Sequence, residues 1–441
     1  MATPTLSSTD LCASAGSDAG QRIYALMEEL YPICRSITGN GMRRTLARLQ
    51  QEIPLQIREV PTGTRVFDWT VPREWNIRDA YVKNARGERV IDFQKHNLHL
   101  VNYSVPVHRT MSLAELKPHL HTLPEQPDLI PYRTSYYKED WGFCLPHRWL
   151  QQLPEGEYEV CIDSTLENGS LSYGEYCIPG ESREEILISC HACHPSLCND
   201  NLAGVGVAAF VAQHLSRLTL RYSYRFLFIP GTIGSITWLA LNEEKTSAIR
   251  HGLVLTCIGD RGRLSYKKSR RGNAEIDRAV LHVLQHTGLS HQVFDFSPYG
   301  YDERQYCSPG FNLAVGCLMR TPHAQFPEYH TSADNLSFVD AASLGDSFAK
   351  ILAIFEILEN NRVWLTRNPK CEPQLGRRGL YDAIGGTNIK QLPLAMLWVL
   401  NFADGTNSLL DIADRSGMEF AVLARAAEML YQHDLLQPVS T

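Results

Sequence analysis

Apolar positions change rhythm several times along the chain. Between residues 21 and 34 they fall at Ile23, Leu26, Met27 and Leu30, a spacing that puts all four on one helix face. Residues 41–53 predict a second helix and 55–60 a short strand. From about Thr64 the character becomes aromatic and β-branched, with turn residues between: Phe67, Trp69, Trp75, Tyr81, Val90, Ile91, Phe93 and the stretch 98–105. This pattern predicts a β-rich module. Residues 141–143, 158–162 and 171–177 read as further strands, the last two joined as a hairpin through Glu167, Asn168 and Gly169.

Beyond Glu185 short apolar runs at 186–189, 224–229, 253–258 and 312–317 alternate with helical stretches at 202–215, 236–241 and 275–286. Such alternation predicts a mostly parallel, doubly wound α/β sheet. An amphipathic helix over 341–359 closes it, and 362–379, polar and rich in Arg, Pro and Gly, reads as a linker. Helices at 394–400, 409–416 and 419–433, with a turn at Asp404 and Gly405, suggest a helix-turn-helix or winged-helix module. The expected organisation is a disordered tail over 1–20, an α/β domain made of 21–64 and 165–361, a β-rich domain inserted at 65–164, and a winged-helix domain over 380–441.

Composition narrows this picture. A length of 441 residues calls for two or three domains. An apolar share of 44% with 20% charged residues is that of a soluble globular protein. The net charge of −6 makes no general case for nucleic acid or an anionic membrane as partner. No apolar run approaches the roughly 18 residues that span a bilayer. The N-terminal residues lack the basic and apolar regions of a signal peptide. The twelve cysteines are dispersed, as in a cytoplasmic protein with reduced thiols. Residues 380–441 carry three basic against seven acidic side chains. Phosphate binding needs a basic face, so the tail reads as a docking or dimerisation module, with a second copy of the chain as its partner, rather than as a DNA reader.

The candidate chemistry lies in residues 189–204, which follow a buried strand and precede a buried helix. Polar groups at the carboxyl end of a parallel strand are where open α/β sheets bind ligands. The segment offers His191, His194 and Asp200 beside the thiols of Cys190, Cys193 and Cys198. Imidazoles with a carboxylate suit a catalytic zinc, which takes about three protein ligands and keeps a position open. Thiols alone would suit a structural zinc, but no second Cys or His pair at matching spacing exists, and buried metal-free thiols are the plainer reading. Residues 326–335 add His330, with Thr331 beside it and Asp334 placed to orient the imidazole or cap the next turn.

These residues carry a resemblance. The run Asn-Asp-Asn-Leu-Ala-Gly-Val at 199–205 and Tyr-His-Thr-Ser-Ala-Asp at 329–334 are similar to motifs of the zinc aminopeptidase superfamily, whose Asp bridges two metals. More closely, residues 21–437 resemble a bacterial aminopeptidase-like family with a β-rich insertion and a winged-helix tail. The shared motifs include Cys-Arg-Ser-Ile-Thr-Gly (34–39), Phe-Asp-Trp-Thr-Val-Pro (67–72), Tyr-Tyr-Lys-Glu-Asp-Trp-Gly-Phe-Cys (136–144), Cys-His-Pro-Ser (193–196) and Asp-Glu-Arg-Gln-Tyr (302–306). The resemblance implies His194, Asp200 and His330 as metal ligands, with His191 competing with His194.

The chain departs from that pattern where the superfamily places its general-base Glu and a ligand Glu: here stand Gly231 and Thr232. Thr256 and Cys257 stand where a further Asp ligand belongs. One zinc ion is therefore expected, with Glu303 as replacement base or fourth ligand; a surface ion pair with Arg304 is its bland alternative. Arg270, Arg271 and Arg320 are candidates to grip a substrate carboxylate, and Tyr329 and His323 to line the pocket. The implied activity is a metal-dependent hydrolase acting on a peptide or other amide bond of a small substrate, in secondary-metabolite or polysaccharide biosynthesis. The alternatives are a non-hydrolytic metal-containing binding protein and, on the strength of the tail alone, a transcriptional regulator.

Overall fold

In the computed structural model, residues 16–380 and 391–439 are described. They divide into one unit of 16–272 with 292–348 and a second of 273–291, 349–380 and 391–439. The tail expected over 1–20 falls mostly outside the described residues, and from Gly16 onward the chain is helical. Helix α1, Gly16–Leu30, buries Ile23, Leu26, Met27 and Leu30, the face that the spacing predicts. Helix α2, Asn40–Leu49, buries Met42, Thr45, Leu46 and Leu49.

The first unit is built on an eight-stranded sheet. Its strands in chain order are β1 Gln56–Pro61, β2 Ser170–Ile178, β3 Glu185–His191, β4 Ser223–Ile229, β5 Ile249–Leu255, β6 Leu264–Lys267, β7 His291–Phe294 and β8 Val315–Met319. They lie in the order β1-β2-β4-β3-β5-β8-β6-β7. The middle four, β4, β3, β5 and β8, run parallel, while β1, β2 and β6 pair antiparallel with their neighbours. All seven residues of β3 are buried, as expected of a strand covered on both faces. Helix α3, Ala203–Leu215, crosses back from β3 and is buried at every position except Gln213 and His214. It can pack so closely because Gly204 has no side chain: a Cβ there would stand 2.5 Å from the Leu255 carbonyl oxygen and from the Asn201 amide oxygen.

The β-rich insertion is a four-stranded antiparallel sheet of Arg89–Asp92, Glu74–Lys83, Glu157–Glu167 and Val107–Ser112, in that order. It belongs to the same compact unit as the large sheet. The hairpin expected at 167–169 does not form. Glu157–Glu167 pairs within the insertion, whereas β2 pairs with β1 and β4. Gly169 marks a crossing between sheets, held by Glu74, which takes both ends of the Arg43 guanidinium at 2.7 Å and the Ser170 N–H at 2.9 Å.

In the second unit Val363–Thr366 is the central strand of a three-stranded sheet, between Asp404–Ser408 and Leu436–Pro438. The linker expected over 362–379 therefore begins with a structural strand. Helices Gln391–Phe402, Leu409–Ser416 and Phe420–Gln432 complete a winged helix. The middle one starts on a reciprocal cap between Ser408 and Asp411 and stops at Gly417, whose φ is 67°. Helix Glu275–His286 belongs to this unit. Its Arg278 reaches Asp411 at 2.8 Å and Asp414 at 2.6 Å, and its His282 accepts the Phe420 N–H at 2.9 Å. Among the described residues no helix is long and apolar enough to cross a membrane, and all eleven described cysteines are free thiols.

Candidate metal centre

Asp200 stands one turn past the carboxyl end of β3, in the irregular turn 198–202 that leads into α3. Three imidazoles surround its fully buried carboxylate. His191 Nε2 lies 2.7 Å from Oδ1, His330 Nε2 3.0 Å from Oδ2, and His194 Nε2 4.0 Å from Oδ2. Burial alone would push the Asp200 carboxyl up, but His194, His191 and the bonds from His191 and His330 hold it well below the usual carboxylate range. Burial pushes His194 well below its ordinary value, against the pull of Asp200. It is neutral at pH 7, as a metal ligand must be. The side chain of His330 is 36% exposed while the other three are buried, so the cluster opens to solvent along His330.

The supporting contacts explain why the turn holds this shape. The Asp334 carboxylate accepts the backbone N–H groups of Cys198 at 3.1 Å, Asn199 at 2.6 Å and Asp200 at 3.0 Å. It neither caps its own turn nor touches an imidazole; it binds the segment 198–200 to the segment carrying His330. Asn199 bridges Asp260 at 2.9 Å and the Gly259 N–H at 2.8 Å, and Asn201 donates to the Leu255 carbonyl at 3.0 Å. From α1's end, the fully buried Arg35 donates to the His194 carbonyl at 2.9 Å and to the Leu30 carbonyl at 2.6 Å. Its remaining nitrogen, Nη2, has no partner. Burial pulls this guanidinium down to about 10.

Rings wall the cluster. Tyr301 lies over His191 with centroids 3.8 Å apart, Tyr329 stacks on His330 at 4.0 Å, and Tyr132 faces both His194 and His330 at 5.0 and 5.1 Å. The donor atoms of Cys257 and His323 gather on Asp200 as well, all within 4.8 Å of one another. Burial pulls His323 down to about 4, so it too is neutral. It also borders a cavity of about 270 Å³ shared with Phe294, Met319 and Pro322.

The turn after β4, residues 230–235, carries no carboxylate. A Cβ on Gly231 would fall on the Tyr301 hydroxyl and ring edge, so the phenol occupies the space that a side chain there would take. The Gly231 N–H donates to Cys193 Sγ at 3.2 Å, and that thiol, pushed up to about 12 by burial, stays neutral. Thr232 has φ 63°, a left-handed conformation that costs a β-branched residue energy. Asp302 Oδ1 holds it there, accepting the Thr232 N–H at 2.7 Å and the Ser235 hydroxyl at 2.8 Å. Oδ2 of Asp302 is buried without a partner. Burial raises this carboxyl to about 6.

Glu303, expected as the free base, is instead buried in an ion pair with Lys267, and both its oxygens accept the Tyr301 N–H at 3.2 Å. The cation is not Arg304, which turns to the Gly300 carbonyl and the Thr232 hydroxyl. Nor does the structure aim the three candidate arginines at the cluster. Arg270 and Arg271 bind Asn312 at 3.1 and 2.9 Å, and Arg320 is taken by Asp346 at 3.1 Å and by the Gly262 and Ser343 carbonyls. Arg35, Tyr132, Tyr301 and Asp302 were not singled out by sequence reasoning. Only their occurrence in or beside the shared motifs at 34–39, 136–144 and 302–306 pointed that way.

Fold and site together define a class. The chain has the zinc-aminopeptidase fold: a zinc aminopeptidase from Bacillus subtilis superposes with a TM-score of 0.56 at 12% identity, over 77% of this chain and 94% of that one. A peptidase precursor of the M28 group from Shewanella amazonensis does so with 0.54 at 12%, over 80% and 94%. Within that class, residues 24–361 match the family described as a domain of unknown function, DUF4910, and the chain belongs to it; residues 362–438 match a winged helix-turn-helix. A Clostridium acetobutylicum protein provisionally named for polysaccharide biosynthesis with an aminopeptidase-like domain is 57% identical over 424 residues, 96% of this chain and 98% of its own length. A crystal structure from the same organism, provisionally called a peptidase, superposes with a TM-score of 0.92 at 56% identity, over 96% and 97%.

Proposed function

We propose that this chain is a metal-dependent hydrolase of the aminopeptidase type, acting on a peptide or other amide bond of a small substrate. The observation that carries the reading is the Asp200 carboxylate set among His191, His194 and His330 at the sheet's carboxyl edge. A buried carboxylate with three imidazoles around it fits one zinc ion. All four residues are candidates to hold it, and His191 lies nearer to Asp200 than His194 does. Zinc bound there would polarise an amide carbonyl and acidify a water molecule.

The remaining steps belong to the protein's own groups. His330, on the open edge, sets the side from which substrate approaches. Tyr329 and Tyr132 exclude water from the two flanks of that edge. The Tyr301 phenol, raised well above its ordinary value by burial, stays protonated, with its hydroxyl 3.9 Å from Cys193 Sγ. Glu303 is committed to Lys267, so Asp302, with its partnerless Oδ2 beside the turn after β4, is the carboxylate left to take a proton. The provisional name of the Clostridium acetobutylicum relative suggests the setting, polysaccharide biosynthesis.

One observation favours a second reading. With Tyr301 filling the place of the base, the site suits a protein that binds an amide or acyl ligand without cleaving it. Metal analysis together with turnover on a panel of amides, for wild type, Asp200→Asn and Asp302→Asn, separates the two. Turnover that needs stoichiometric metal and disappears in both variants supports the hydrolase. Stoichiometric metal with no turnover on any amide rejects it in favour of the binding protein.

A further inference from the structure

Two of the motifs remain without a role in this chemistry: 67–72 and 136–144. The structure brings them to one place. Strands Arg65–Val66 and Trp69–Thr70 form a small hairpin that presents Phe67 and Trp69 outward, 45% and 37% exposed, and Tyr137 beside them is 57% exposed. The Trp69 and Tyr137 rings meet edge to face at 5.2 Å. Phe67 has φ 56°, an outlier for a bulky side chain and a strained way to hold an aromatic ring in water. Next to them opens a cavity of about 260 Å³ walled by Tyr103, Tyr136 and Tyr137 and rimmed by Arg73, Lys138 and Glu139. It leads toward the candidate metal centre through a hydroxyl pair. Tyr136 Oη lies 2.7 Å from Tyr132 Oη, and the Tyr132 ring faces His194 and His330.

We propose that this aromatic cavity is a subsite for a sugar ring, so that the amide substrate is borne by a neutral saccharide; the second half of this statement rests on the hydrolase reading. A pyranose has an apolar C–H face and a rim of hydroxyls. Tyr137 in the cavity wall, extended by Trp69 beside it, offers aromatic surface for the first. The rim charges offer fixed donors and acceptors for the second. Arg73 pairs with Glu139, and Lys138 with Asp140, all four largely exposed. Exposed pairs of this kind contribute little to stability, so turning them toward sugar hydroxyls costs little. Both rim cations are already paired, Arg73 with Glu139 on the rim and Lys138 with Asp140 just outside it, which disfavours a strongly acidic sugar. A subsite for an apolar peptide side chain would not place wet ion pairs along the edge of its rings.

The test uses the full-length protein and calorimetric titration with chitotetraose, cellotetraose and maltotetraose, and with phenylalaninamide as the peptide-like competitor. The expected result is that at least one tetrasaccharide binds, and that Trp69→Ala and Tyr137→Ala each weaken it tenfold or more while leaving the thermal midpoint within a few degrees of wild type. His330→Ala and chelator treatment are expected to leave saccharide binding intact. Failure of the hydrolase reading therefore leaves the subsite standing, and failure of the subsite leaves metal content and turnover untouched. Absence of binding to all three saccharides, binding unchanged in both aromatic variants, or displacement of the saccharide by phenylalaninamide would each overturn the proposal.

Discussion

The turns after β3 and β4 leave adjacent parallel strands at the same sheet edge, yet they have had different fates. After β3, the residues that resemble the zinc aminopeptidases are still gathered on Asp200 with the bonds that position them. After β4 stand Gly231 and Thr232, and neighbouring side chains fill the space around them: Tyr301 lies against Gly231, and Asp302 stitches Thr232 and Ser235. The difference follows from how each turn is anchored. The first is fastened through backbone groups by Asp334, Asn199 and Asn201, so a change there would strand buried polar atoms. The second is held from a neighbouring loop, through the bonds of Asp302 to Thr232 and Ser235.

Four single variants and one double variant test that contrast. Asp200→Asn removes the charge on which the imidazoles converge. Zinc affinity is expected to fall at least a thousandfold, about 4 kcal/mol, measured by competition with a chromophoric chelator; an unchanged affinity would place the metal elsewhere. Glu303→Gln leaves Lys267 buried without its counter-charge and is expected to cost about 3 kcal/mol of stability in denaturant unfolding. If Glu303 is instead a catalytic base, activity falls and stability does not.

Gly231→Glu drives a side chain into the Tyr301 ring and is expected to destabilise by about 2 kcal/mol. The double variant Gly231→Glu with Tyr301→Ala should recover most of that loss, and it is the form in which restored peptidase activity is to be sought. Asp302→Asn acts on stability in the opposite sense, and its pH dependence is specific. Burial raises the carboxyl from 3.8 to about 6. Its neutral form thus favours the folded state, and wild type loses stability as pH rises from 3.8 through about 6. The variant lacks that loss, so its unfolding free energy should exceed that of wild type by up to about 3 kcal/mol at pH 7 and match it near pH 3. A difference that grows toward acid would contradict the assignment.

Much of this was legible in the sequence, for physical reasons that differ by element. The buried strands and α3 announce themselves because both faces are apolar. The face of α1 is set by its spacing. The supposed hairpin at 167–169 misled because turn residues report a change of direction, not which sheet the next strand joins; Glu74, far away in sequence, decides that. The strand Val363–Thr366 is short and flanked by polar residues, so its role appears only once its partners Asp404–Ser408 and Leu436–Pro438 are in place. His191 and His194 could not be ranked from spacing, since both leave the same strand end. Tyr301 and Asp302 read as loop residues between the helix at 275–286 and the strand at 312–317, because nothing local shows that they pack on a turn seventy positions earlier.

Asp334 has a consequence for handling the protein. Its carboxylate receives three successive amides of the segment that bears Asp200, so that segment is tied down by the chain itself rather than by a cation. In hydrogen–deuterium exchange the amides of Cys198, Asn199 and Asp200 should therefore stay protected after exhaustive chelation. The stripped protein should take up metal again at the rate of diffusion and ligand exchange, with no slow refolding phase.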